Sequence, residues 1–587
     1  MHTCYVGMVR RDVNQETGNP GELVDALRLI RERSLVDDSV LILVANEADG
    51  VCSSIILTSV LKLEGIKYTI QSVETYTDLE SVLRSSMRES VRTVILLNCG
   101  AVVDLTRELV PDVVFIVIDS HRPIHLKNVC EPEWILVLDD DIGRGAYFPM
   151  DAIMTAAQDA EFDQDDVLLD DDDLDDNERT NKRAKTNSEE CRRILREYYE
   201  GYYYASPSAL VLYTLAADLG YQTQQLLWLG CVGLASYLEM GFFSADTFRT
   251  LASEIDSTHM VAFENGLRFT EDLRLIMYRH WSLFQAMWHT PYVYAKLELH
   301  RDHGHGTMQK LLVFAGISPQ NYNQSFSSMS HSARNLIGGE KFKKKCTAFG
   351  MTELKHYQFV RTVRMKDEDR PSLMLNELSA SDAYYMITAA LRMKGFNYAI
   401  DVATHTAPLP DLQECISKAL EIQRDICVQA KMILDKRDWR KTRAFRYCVI
   451  HKPTSSMFQT CPEAIRCLAL FLTNVLHNAS DLPFLICVRA GDHFVCIGTD
   501  PQDTKSEFVF RFRNACESTA VKIQLNSFDF ALAHVPAAEF ETWTHALLGG
   551  SQLDQDDDDE DFENDVQDDP ADDQDDEDND LENEPPE

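Results

Sequence analysis

Four polar side chains lie where predicted strands end. Asn98 directly follows one apolar, β-branched run, Asp119 and His121 follow the next run, and Asp49 lies just beyond an earlier one. Ligands of an open α/β sheet bind outside the carboxyl ends of its parallel strands, so we expect these side chains to meet at one edge of a sheet. Two carboxylates and an imidazole at such an edge could begin a site for two divalent cations.

That site is predicted to be incomplete. Two divalent cations about 3.5–4 Å apart need several carboxylates to bind and bridge them. The other positions of the turn before Asp49 are Ala45, Asn46 and Glu47, and the next strand ends in the neutral Asn98. The sequence therefore predicts neither a catalytic metal centre nor a cofactor.

The elements that would hold these residues alternate between strand and helix. The strand-like runs are short and rich in Val, Ile and Leu, as strands buried on both faces are. Strands are predicted at 40–45, 67–73, 94–97, 113–118 and 134–138. Helices are predicted at 22–31, 51–63, 78–87 and 104–109. The alternation indicates a doubly wound parallel sheet with right-handed crossovers.

Helical and strand-like patterns return further along the chain. Helix is predicted at 209–237, interrupted at Gly220 and at 230–233, and almost continuously over 247–322. Later strands are predicted at 447–451, 484–489, 494–498 and 508–512, with helices at 412–434 and 464–476. This second alternation indicates another α/β domain.

The predicted fold class is α/β, with a parallel-sheet domain, a helical insertion, a second α/β domain and an acidic disordered linker and tail. The first domain is predicted in two parts, and the insertion is predicted to dock partners. The predicted boundaries are 1–154 and 191–245 for the first domain, 155–190 for the acidic and then basic linker, 246–345 for the insertion, 346–550 for the second domain and 551–587 for the tail.

The formal net charge of −39 comes mainly from two short segments. Ser551–Glu587 holds 21 acidic residues and no Lys or Arg, and Glu161–Glu178 holds 11 more. Without those 32 charges the formal net charge is −7, which is modest for a chain of this length. Both segments have too few apolar residues to form a core, so we expect them to be disordered.

The cysteine pattern and the hydropathy of the chain predict the cellular compartment of the protein. The 15 cysteines include no Cys-x-x-Cys pair, and several stand inside apolar runs as small hydrophobic residues do. That usage is typical of a reducing compartment. The amino terminus lacks the apolar core of a signal peptide, and no apolar run approaches the ~18 residues of a membrane span. We therefore expect a soluble intracellular protein with no membrane partner.

The residues at the strand ends resemble the successive motifs of the DHH phosphoesterase superfamily, which includes the RecJ single-strand exonucleases. Active members carry Asp-x-Asp-x-Asp-Gly first, and those three Asp positions are matched here by Ala45, Glu47 and Asp49. The Asp of their second motif is matched by Asn98. The resemblance thus extends to a site from which carboxylates are missing.

The remaining motifs of that superfamily are also altered. The Asp-His-His motif that gives the superfamily its name corresponds here to Asp119-Ser-His121. A later metal-binding Asp should lie within 232–236, which contains no Asp. The resemblance implies that Asp49, Asp119 and His121 are vestigial metal positions. We expect Asp119 to cap the turn after its strand by accepting backbone N–H bonds, with His121 as a satisfied partner beside it.

An ordered set of motifs narrows the resemblance to the cell division control protein 45 family, a catalytically inactive branch of the superfamily. The set, which extends to about residue 550, is Leu97-Asn-Cys-Gly-Ala101, Asp119-Ser-His-Arg-Pro123, Val232-Gly-Leu234, Asp272-Leu-Arg-Leu, His280-Trp-Ser-Leu283, Cys516-Glu-Ser-Thr519 and Asn526-Ser-Phe-Asp529. The resemblance implies a DHH-type domain, a DHHA1-like second domain and a non-enzymatic subunit of the replicative DNA helicase in the nucleus. Its implied partners are the minichromosome maintenance hexamer, the GINS complex, origin loading factors and DNA polymerases.

A second candidate site lies in the segment 271–288, which is predicted to be a helix with a broad apolar stripe. The stripe is wider than one core contact requires, and Arg274, Arg279 and His280 are predicted on its polar edges. Aromatic and Arg side chains are enriched in interface hot spots. Arg274, Arg279, His280 and Trp281 are therefore predicted to bind protein partners, with Trp281 itself mainly internal.

Basic and aromatic residues alternate over 436–447. Arg437, Arg440 and Arg443 could bind phosphates of a single DNA strand while Trp439 stacks on a base. A second basic cluster lies at 341–345. The alternative is a solvated face that precedes the strand at 447.

A basic cluster follows the acidic linker. Lys182, Arg183 and Lys185, followed after a spacer by Arg192 and Arg193, resemble a bipartite nuclear-import signal. The alternative is counter-charge to the adjoining acidic run. The sequence leaves both interpretations open.

Two other functions are compatible with parts of the sequence. A metal-dependent single-strand exonuclease or phosphoesterase would bind manganese and cut phosphodiester bonds, and the missing carboxylates argue against it. An acidic histone-binding chaperone would need little more than the tail 551–587, whereas a scaffold needs its folded domains.

We predict that the acidic tail is dispensable for folding. A chain that ends at Gly550 should keep its thermal unfolding midpoint nearly unchanged, because the removed residues lack a core-forming pattern. Calorimetry of the full and shortened chains tests this. A large loss of stability would show that the tail packs against the body.

Overall fold

A computed structural model describes residues 8–10, 39–86, 91–131, 133–139, 193–260, 266–365, 374–476, 482–500, 506–518 and 527–548. The predicted helix at 22–31, the acidic part of the linker and the tail after 550 lie outside these described residues.

Parallel strands organise the amino-terminal part of the chain. The strands before residue 205 are β1 (Met8–Arg10), β2 (Ser39–Ala45), β3 (Tyr68–Val73), β4 (Val91–Leu97), β5 (Val114–Ile118), β6 (His121–Arg122), β7 (Ile135–Asp139) and β8 (Tyr203–Tyr204). Six of them form one sheet in the order β1-β7-β5-β4-β2-β3, and every neighbouring pair is parallel. The five strands predicted from the sequence are confirmed, and β1 adds a sixth at one edge.

Helices cover this sheet and place apolar side chains on both of its faces. The helices are α1 (Ala48–Leu63), α2 (Tyr76–Ser86), α3 (Leu126–Cys130), α4 (Ser208–Asp218) and α5 (Gln224–Glu239). Ile42 and Val44 of β2 pack into one buried cluster, while the alternating Leu41 and Leu43 pack into another. This double burial explains why the strands are continuous apolar runs rather than alternating ones. The short helix predicted at 104–109 is a 3₁₀ turn at Leu105–Glu108.

The central part of the chain contains a strand where helix was predicted. Its elements are α6 (Ala245–Thr258), β9 (Leu267–Leu273), α7 (Leu283–His289), α8 (Pro291–Lys296), α9 (Gly304–Phe314), α10 (Pro319–Asn323), α11 (His331–Leu336), α12 (Glu340–Ala348), β10 (Lys355–Met365) and β11 (Met374–Ser379). Antiparallel strands β11, β10 and β9 form a three-stranded sheet in that order. The predicted continuous helix over 247–322 is therefore wrong at 267–273.

The predicted helical stripe at 271–288 is likewise wrong. Met277 has a left-handed backbone (φ 47°), and a 3₁₀ turn at Tyr278–His280 separates β9 from α7. The stripe residues are nevertheless mostly buried, because the strand, the turn and the short helix each direct apolar side chains into the same core. Pairing with β10, about 85 residues later, supplies the backbone hydrogen bonds that a continuous helix would have made internally.

The carboxy-terminal part is a second α/β arrangement. Its elements are α13 (Ala380–Lys394), α14 (Phe396–Thr404), α15 (Leu409–Lys436), β12 (Arg440–Lys441), β13 (Arg446–Ile450), α16 (Pro462–Val475), β14 (Phe484–Ala490), β15 (His493–Thr499), α17 (Glu507–Ser518), β16 (Leu532–Pro536) and α18 (Phe540–Leu547). The sheet order is β12-β13-β14-β15-β16, with only β13 and β14 parallel.

The strand predicted at 508–512 is wrong, because these residues begin α17. Phe508, Phe512, Ala515 and Cys516 are all buried, and their spacing of four, seven and eight residues is that of one helix face. The β-propensity of Phe and Val favoured a strand over the first five residues, whereas the later part of the segment carries the helical period.

Neither a membrane span nor a disulfide is found in the described ranges. No helix there is both long and apolar enough to cross a bilayer. The thirteen cysteines within those ranges are all free thiols.

We predict that Trp281→Ala lowers the free energy of unfolding by about 3–5 kcal/mol, as large core truncations do. Trp281 is 6 % exposed and stacks on His289 at 4.5 Å, with the Arg424 guanidinium 5.0 Å from its ring centroid. Urea unfolding of the variant measures the loss. Tyr357→Ala is the matched control, because Tyr357 is 49 % exposed; equal losses in the two variants would contradict a core role for Trp281.

Candidate functional site

The strand-end residues predicted to meet do meet. Strands β2, β4 and β5 end at the same edge of the parallel sheet, and the residues that follow them are Glu47 and Asp49, then Asn98, then Asp119. The Asn98 side-chain amide donates to Glu47 Oε1 at 2.8 Å and to Asp49 Oδ2 at 2.7 Å. Asn98, Asp49 and Asp119 are buried, and Glu47 is half-buried. One neutral amide thus joins two carboxyl groups at the centre of the edge.

Asp49 caps the amino terminus of α4. Its Oδ2 accepts from the backbone N–H of Ser208 at 2.8 Å, and its Oδ1 accepts from that of Ala209 at 3.1 Å. A helix amino terminus presents N–H groups without intrahelical partners and carries partial positive charge, so it stabilises a carboxylate. The Ser208 hydroxyl completes the contact by donating to Asn98 Oδ1 at 2.5 Å and to the carbonyl of Ile118 at 3.0 Å.

Asp119 accepts backbone N–H bonds from the turns that follow strands β4 and β5. Its Oδ2 accepts from the backbone N–H groups of Gly100 and Ala101, both at 2.8 Å, and its Oδ1 accepts from the N–H of His121 at 3.0 Å. The His121 Nδ1 lies 2.6 Å from the same Oδ1, so the imidazole and carboxylate form a buried pair. The predicted capping role of Asp119 and the predicted pairing of His121 are confirmed, and the cap also reaches the turn after the neighbouring strand β4.

The surroundings shift the pKa values of Asp119 and Asp49, the two carboxylates that accept backbone N–H bonds, in opposite directions. Burial acts to raise the pKa of Asp119, but the His121 charge and the hydrogen bonds outweigh it and lower the pKa to about 2. Burial raises the pKa of Asp49 to about 6, although the bonds from Asn98, Ala209 and Ser208 oppose the rise. Asp119 is therefore ionised across the physiological range because a buried cation faces it.

Glu47 has the most strongly shifted carboxyl of the site. Burial raises its pKa to about 8, and the charge of His121 opposes the rise while those of Asp49 and Asp119 add to it. Burial acts to lower the pKa of His121, but Asp119 outweighs it and raises that pKa. Near neutral pH, Glu47 therefore carries a proton for most of the time.

Helix α5, which contains the 232–236 segment, packs closely against Asp49 at Gly233. A Cβ atom on Gly233 of α5 would lie 2.5 Å from Asp49 Oδ1 and 2.8 Å from Ala209 Cβ. Any side chain there would displace the carboxylate or the helix that it caps. Within the described residues, no group of three or more His, Cys, Asp or Glu side chains has a metal-binding arrangement. The residues present do not fit a divalent-metal centre.

A cavity of about 550 Å³ separates this edge of the sheet from the carboxy-terminal part. We call it the strand-end cavity. Two ion pairs line it, Arg466 with Asp529 and Arg392 with Glu463, the latter at 2.5 Å. The Arg466 guanidinium also lies 4.9 Å from the Phe242 ring centroid. Arg466, Arg392 and Glu463 were not predicted as site residues, and Asp529 was named only within a motif. Local sequence gives no signal for these pairs, because their partners are 63 and 71 residues apart in the chain.

The predicted partner-binding residues are mostly internal. Arg279 is only 9 % exposed, and its Nη2 lies 2.5 Å from Asp272 Oδ2. The prediction that Arg279 lies on an exposed polar edge is therefore wrong, because Asp272 and Glu377 enclose its guanidinium. His280 lies 3.8 Å from Asp382 and is largely buried, and Trp281 is internal as expected. Arg274 is half-buried and lines a separate cavity.

The predicted DNA-binding residues lie around the edge strand β12. Arg437, Arg440 and Arg443 are exposed, which suits phosphate contact. Trp439 is half-buried against the core, and the Arg446 guanidinium lies 5.9 Å from its ring centroid. Its ring is therefore less accessible to a base than the sequence pattern suggested.

Most of the predicted import cluster cannot be placed. Lys182, Arg183, Lys185 and Arg192 lie outside the described residues. Arg193 is exposed and pairs with Glu197 at 3.0 Å. The import signal stays a prediction.

Comparison with known proteins gives a consistent result. The CDC45 family model matches residues 40–193, 176–406 and 392–550. The cell division control protein 45 homolog of Homo sapiens is 25 % identical over 566 residues, which cover 87 % of this chain and 96 % of that protein. The homolog of Schizosaccharomyces pombe is 23 % identical over 627 residues, which cover 87 % and 95 %. The crystal structure of CDC45 from Entamoeba histolytica superposes with a TM-score of 0.63 at 17 % identity and covers 90 % of this chain and 99 % of that one. The predicted α/β fold class is confirmed.

We predict that Glu47→Gln flattens the dependence of stability on pH. In the wild-type chain the folded state keeps the Glu47 proton up to about pH 8, whereas the unfolded state loses it near the ordinary pKa of 4.5. The unfolded state then binds fewer protons, so the free energy of unfolding falls as pH rises between these values. Gln cannot titrate, so the variant should lose about 2 kcal/mol less from about pH 5 to about pH 8, a value reduced for partial exposure.

Urea unfolding at several pH values measures this difference. Glu74→Gln is the matched control, because Glu74 lies at the rim of the same cavity and accepts from the Asn46 side chain. Identical pH slopes for wild type and Glu47→Gln would contradict the prediction.

Proposed function

The chain belongs to the CDC45 family, and from that membership we propose that it is a non-catalytic subunit of the replicative DNA helicase. It binds the minichromosome maintenance ring and the GINS complex, activates unwinding at replication origins and supports fork progression. It acts in the nucleus, together with origin loading factors and DNA polymerases. The cell division control protein 45 relatives, which it matches over most of their length, support this assignment.

The non-catalytic part of the proposal rests on what the remaining carboxylates, Asp49 and Asp119, bind. Asp49 binds the amino terminus of α4, and Asp119 binds two turns and an imidazole. A carboxylate that accepts backbone N–H bonds on both oxygens has fewer lone pairs for a cation. Loss of even outer-shell partners typically costs about 10–100-fold in metal affinity or activity, and here the inner ligands are replaced.

Single-stranded DNA is a second proposed ligand. The exposed Arg437, Arg440 and Arg443 surround one edge strand, which favours phosphate contact in a body whose folded part is only weakly acidic. The half-buried Trp439 makes base stacking a smaller contribution than phosphate binding. Affinity should therefore fall steeply with salt and depend little on sequence.

We predict that the purified chain does not hydrolyse single-stranded DNA in the presence of manganese. A labelled oligonucleotide assay measures this against a buffer blank. Glu47→Gln is the informative variant, because Glu47 accepts only a hydrogen bond from the Asn98 side-chain amide. Asp119→Ala would instead remove the backbone hydrogen bonds that cap two turns. Manganese-dependent cleavage that disappears in Glu47→Gln would contradict the proposal.

We predict that the chain co-elutes with purified minichromosome maintenance hexamer and GINS. Arg274→Ala should weaken this assembly by about tenfold or more, as truncation of an interface Arg often does. Its unfolding midpoint should stay close to that of wild type, because no ion pair holds the Arg274 guanidinium among the described residues. Arg301→Ala, at an exposed arginine on another surface, is the control. Wild-type assembly by Arg274→Ala would place the docking surface elsewhere.

A further inference from the structure

A second cavity, of about 360 Å³, lies where α5, α8, α13 and α16 meet the end of β9. We call it the arginine cavity. Arg274, Lys355 and His356 line one side of it, and Glu239 and Asp382 line another. Its volume is several times the roughly 30 Å³ share of one water molecule in the liquid, so a small polyatomic ion fits inside.

Among the described residues Arg274 forms no ion pair in this cavity, although its charge acts to lower the pKa of Glu239. Its guanidinium carbon lies 5.2 Å from the ring centroid of Tyr292, and its backbone N–H donates to the carbonyl of Leu354 at 2.8 Å. Among the described residues, no carboxylate pairs with the guanidinium, and its side-chain nitrogens donate no hydrogen bond to protein. Arg279, five residues later, differs because Asp272 and Glu377 enclose it. The cavity therefore holds a positioned guanidinium fork with unused donors.

Three carboxylates line the cavity; Asp382 and Glu239 are engaged by protein, whereas Glu353 is exposed. Asp382 accepts from the backbone N–H of Ser379 in a capping box and faces His280. Glu239 accepts from the Tyr385 hydroxyl at 2.5 Å, and burial raises its pKa although that hydrogen bond and the charge of Arg274 oppose the rise. Two of the three carboxylates are thus engaged while the guanidinium donors of Arg274 are unused, which favours an anion over a cation as the occupant.

The neighbours of Arg274 suit an anion as well. Lys355 lies 3.4 Å from the half-exposed Glu271, a weak surface pairing that leaves its charge available. Burial and the charge of Arg274 lower the pKa of His356 to about 4, so its ring is neutral near pH 7 and can donate one N–H bond. The planar fork of Arg matches the oxygens of carboxylate and phosphate in a bidentate way.

We propose that the arginine cavity binds an oxyanion on Arg274, with Lys355 as the second cation. The oxyanion is either a free phosphate-type ion or the carboxylate of an acidic side chain inserted from a partner, since both present the same geometry to the fork. The site belongs to the folded chain alone, so it does not rest on the proposed function.

Isothermal titration of the full chain tests this with two probes at constant ionic strength, inorganic phosphate and an acetylated, amidated tri-glutamate peptide, with chloride as the reference anion. We expect at least one probe to bind, and Arg274→Gln to weaken it by about tenfold or more, the usual effect of losing a charge-assisted bidentate pair. Arg274→Lys should be intermediate, and Arg301→Gln should bind as wild type does. Tighter binding of phosphate would identify a free ion as the ligand, and tighter binding of the peptide would identify an acidic side chain.

Two results would overturn the proposal. The first is that neither probe binds more tightly than chloride, and the second is that Arg274→Gln binds as well as wild type. If Arg274→Gln fails to fold, its unfolding midpoint without probe would show this, and Lys355→Gln then becomes the deciding variant. Removal of this second cation should still weaken binding severalfold. Phosphate binding needs no partner protein. The phosphate experiment can therefore fail while helicase assembly succeeds, and it can succeed while helicase assembly fails.

Discussion

The contact between Asp49 and the amino terminus of α4 is the constraint on which the sheet edge depends. It joins the turn after the first long strand to a helix that begins 159 residues later in the chain. Without it, the N–H groups of Ser208 and Ala209 would lose their partners and the buried carboxylate would keep only the Asn98 amide. Each unmet polar group in an apolar interior is costly. The close approach of Gly233 to the same carboxylate shows that α5 is packed around this contact as well.

The charged groups at this edge of the sheet are few, and each has a hydrogen-bonding partner. An Asp in place of Asn98 would put a third carboxylate against Glu47 and Asp49, and mutual repulsion would have to be relieved by cations or protons. The neutral amide instead donates to both. His121 supplies the one buried positive charge, and it faces Asp119, the carboxylate whose pKa is lowest. A helix terminus, an amide and an imidazole are thus the groups that neutralise or bind the carboxylates of this edge.

The two arginines of the 272–279 segment show how similar sequence positions acquire different roles. Arg279 is enclosed by Asp272 and Glu377, so its guanidinium belongs to the core and its replacement would leave a buried carboxylate unpaired. Arg274 contacts the face of Tyr292 and opens into a cavity. The difference arises because Arg274 directly follows β9, whereas Arg279 lies in the later 3₁₀ turn, where Asp272 and Glu377 are close to its guanidinium.

The sequence by itself determined the parallel sheet and the residues at its edge. The apolar runs at 40–45, 94–97 and 113–118 are short and bounded, so strand was the favoured structure, and strand order then placed Asp49, Asn98, Asp119 and His121 together. The absence of carboxylates at Ala45 and Asn98 is a matter of residue type, and it required no coordinates.

Only the tertiary structure decided the conformation of the 267–288 and 508–518 segments and the partners of the buried charges. Leu267–Leu273 is a strand because β10 pairs with it, and local periodicity contains no record of a partner about 85 residues away. The same holds for Arg466 with Asp529 and for Ser208 with Asp49, which are joined across 63 and 159 residues. Local sequence fixes propensity and period, whereas pairing, burial and counter-ions depend on which distant segments the folded chain brings into contact.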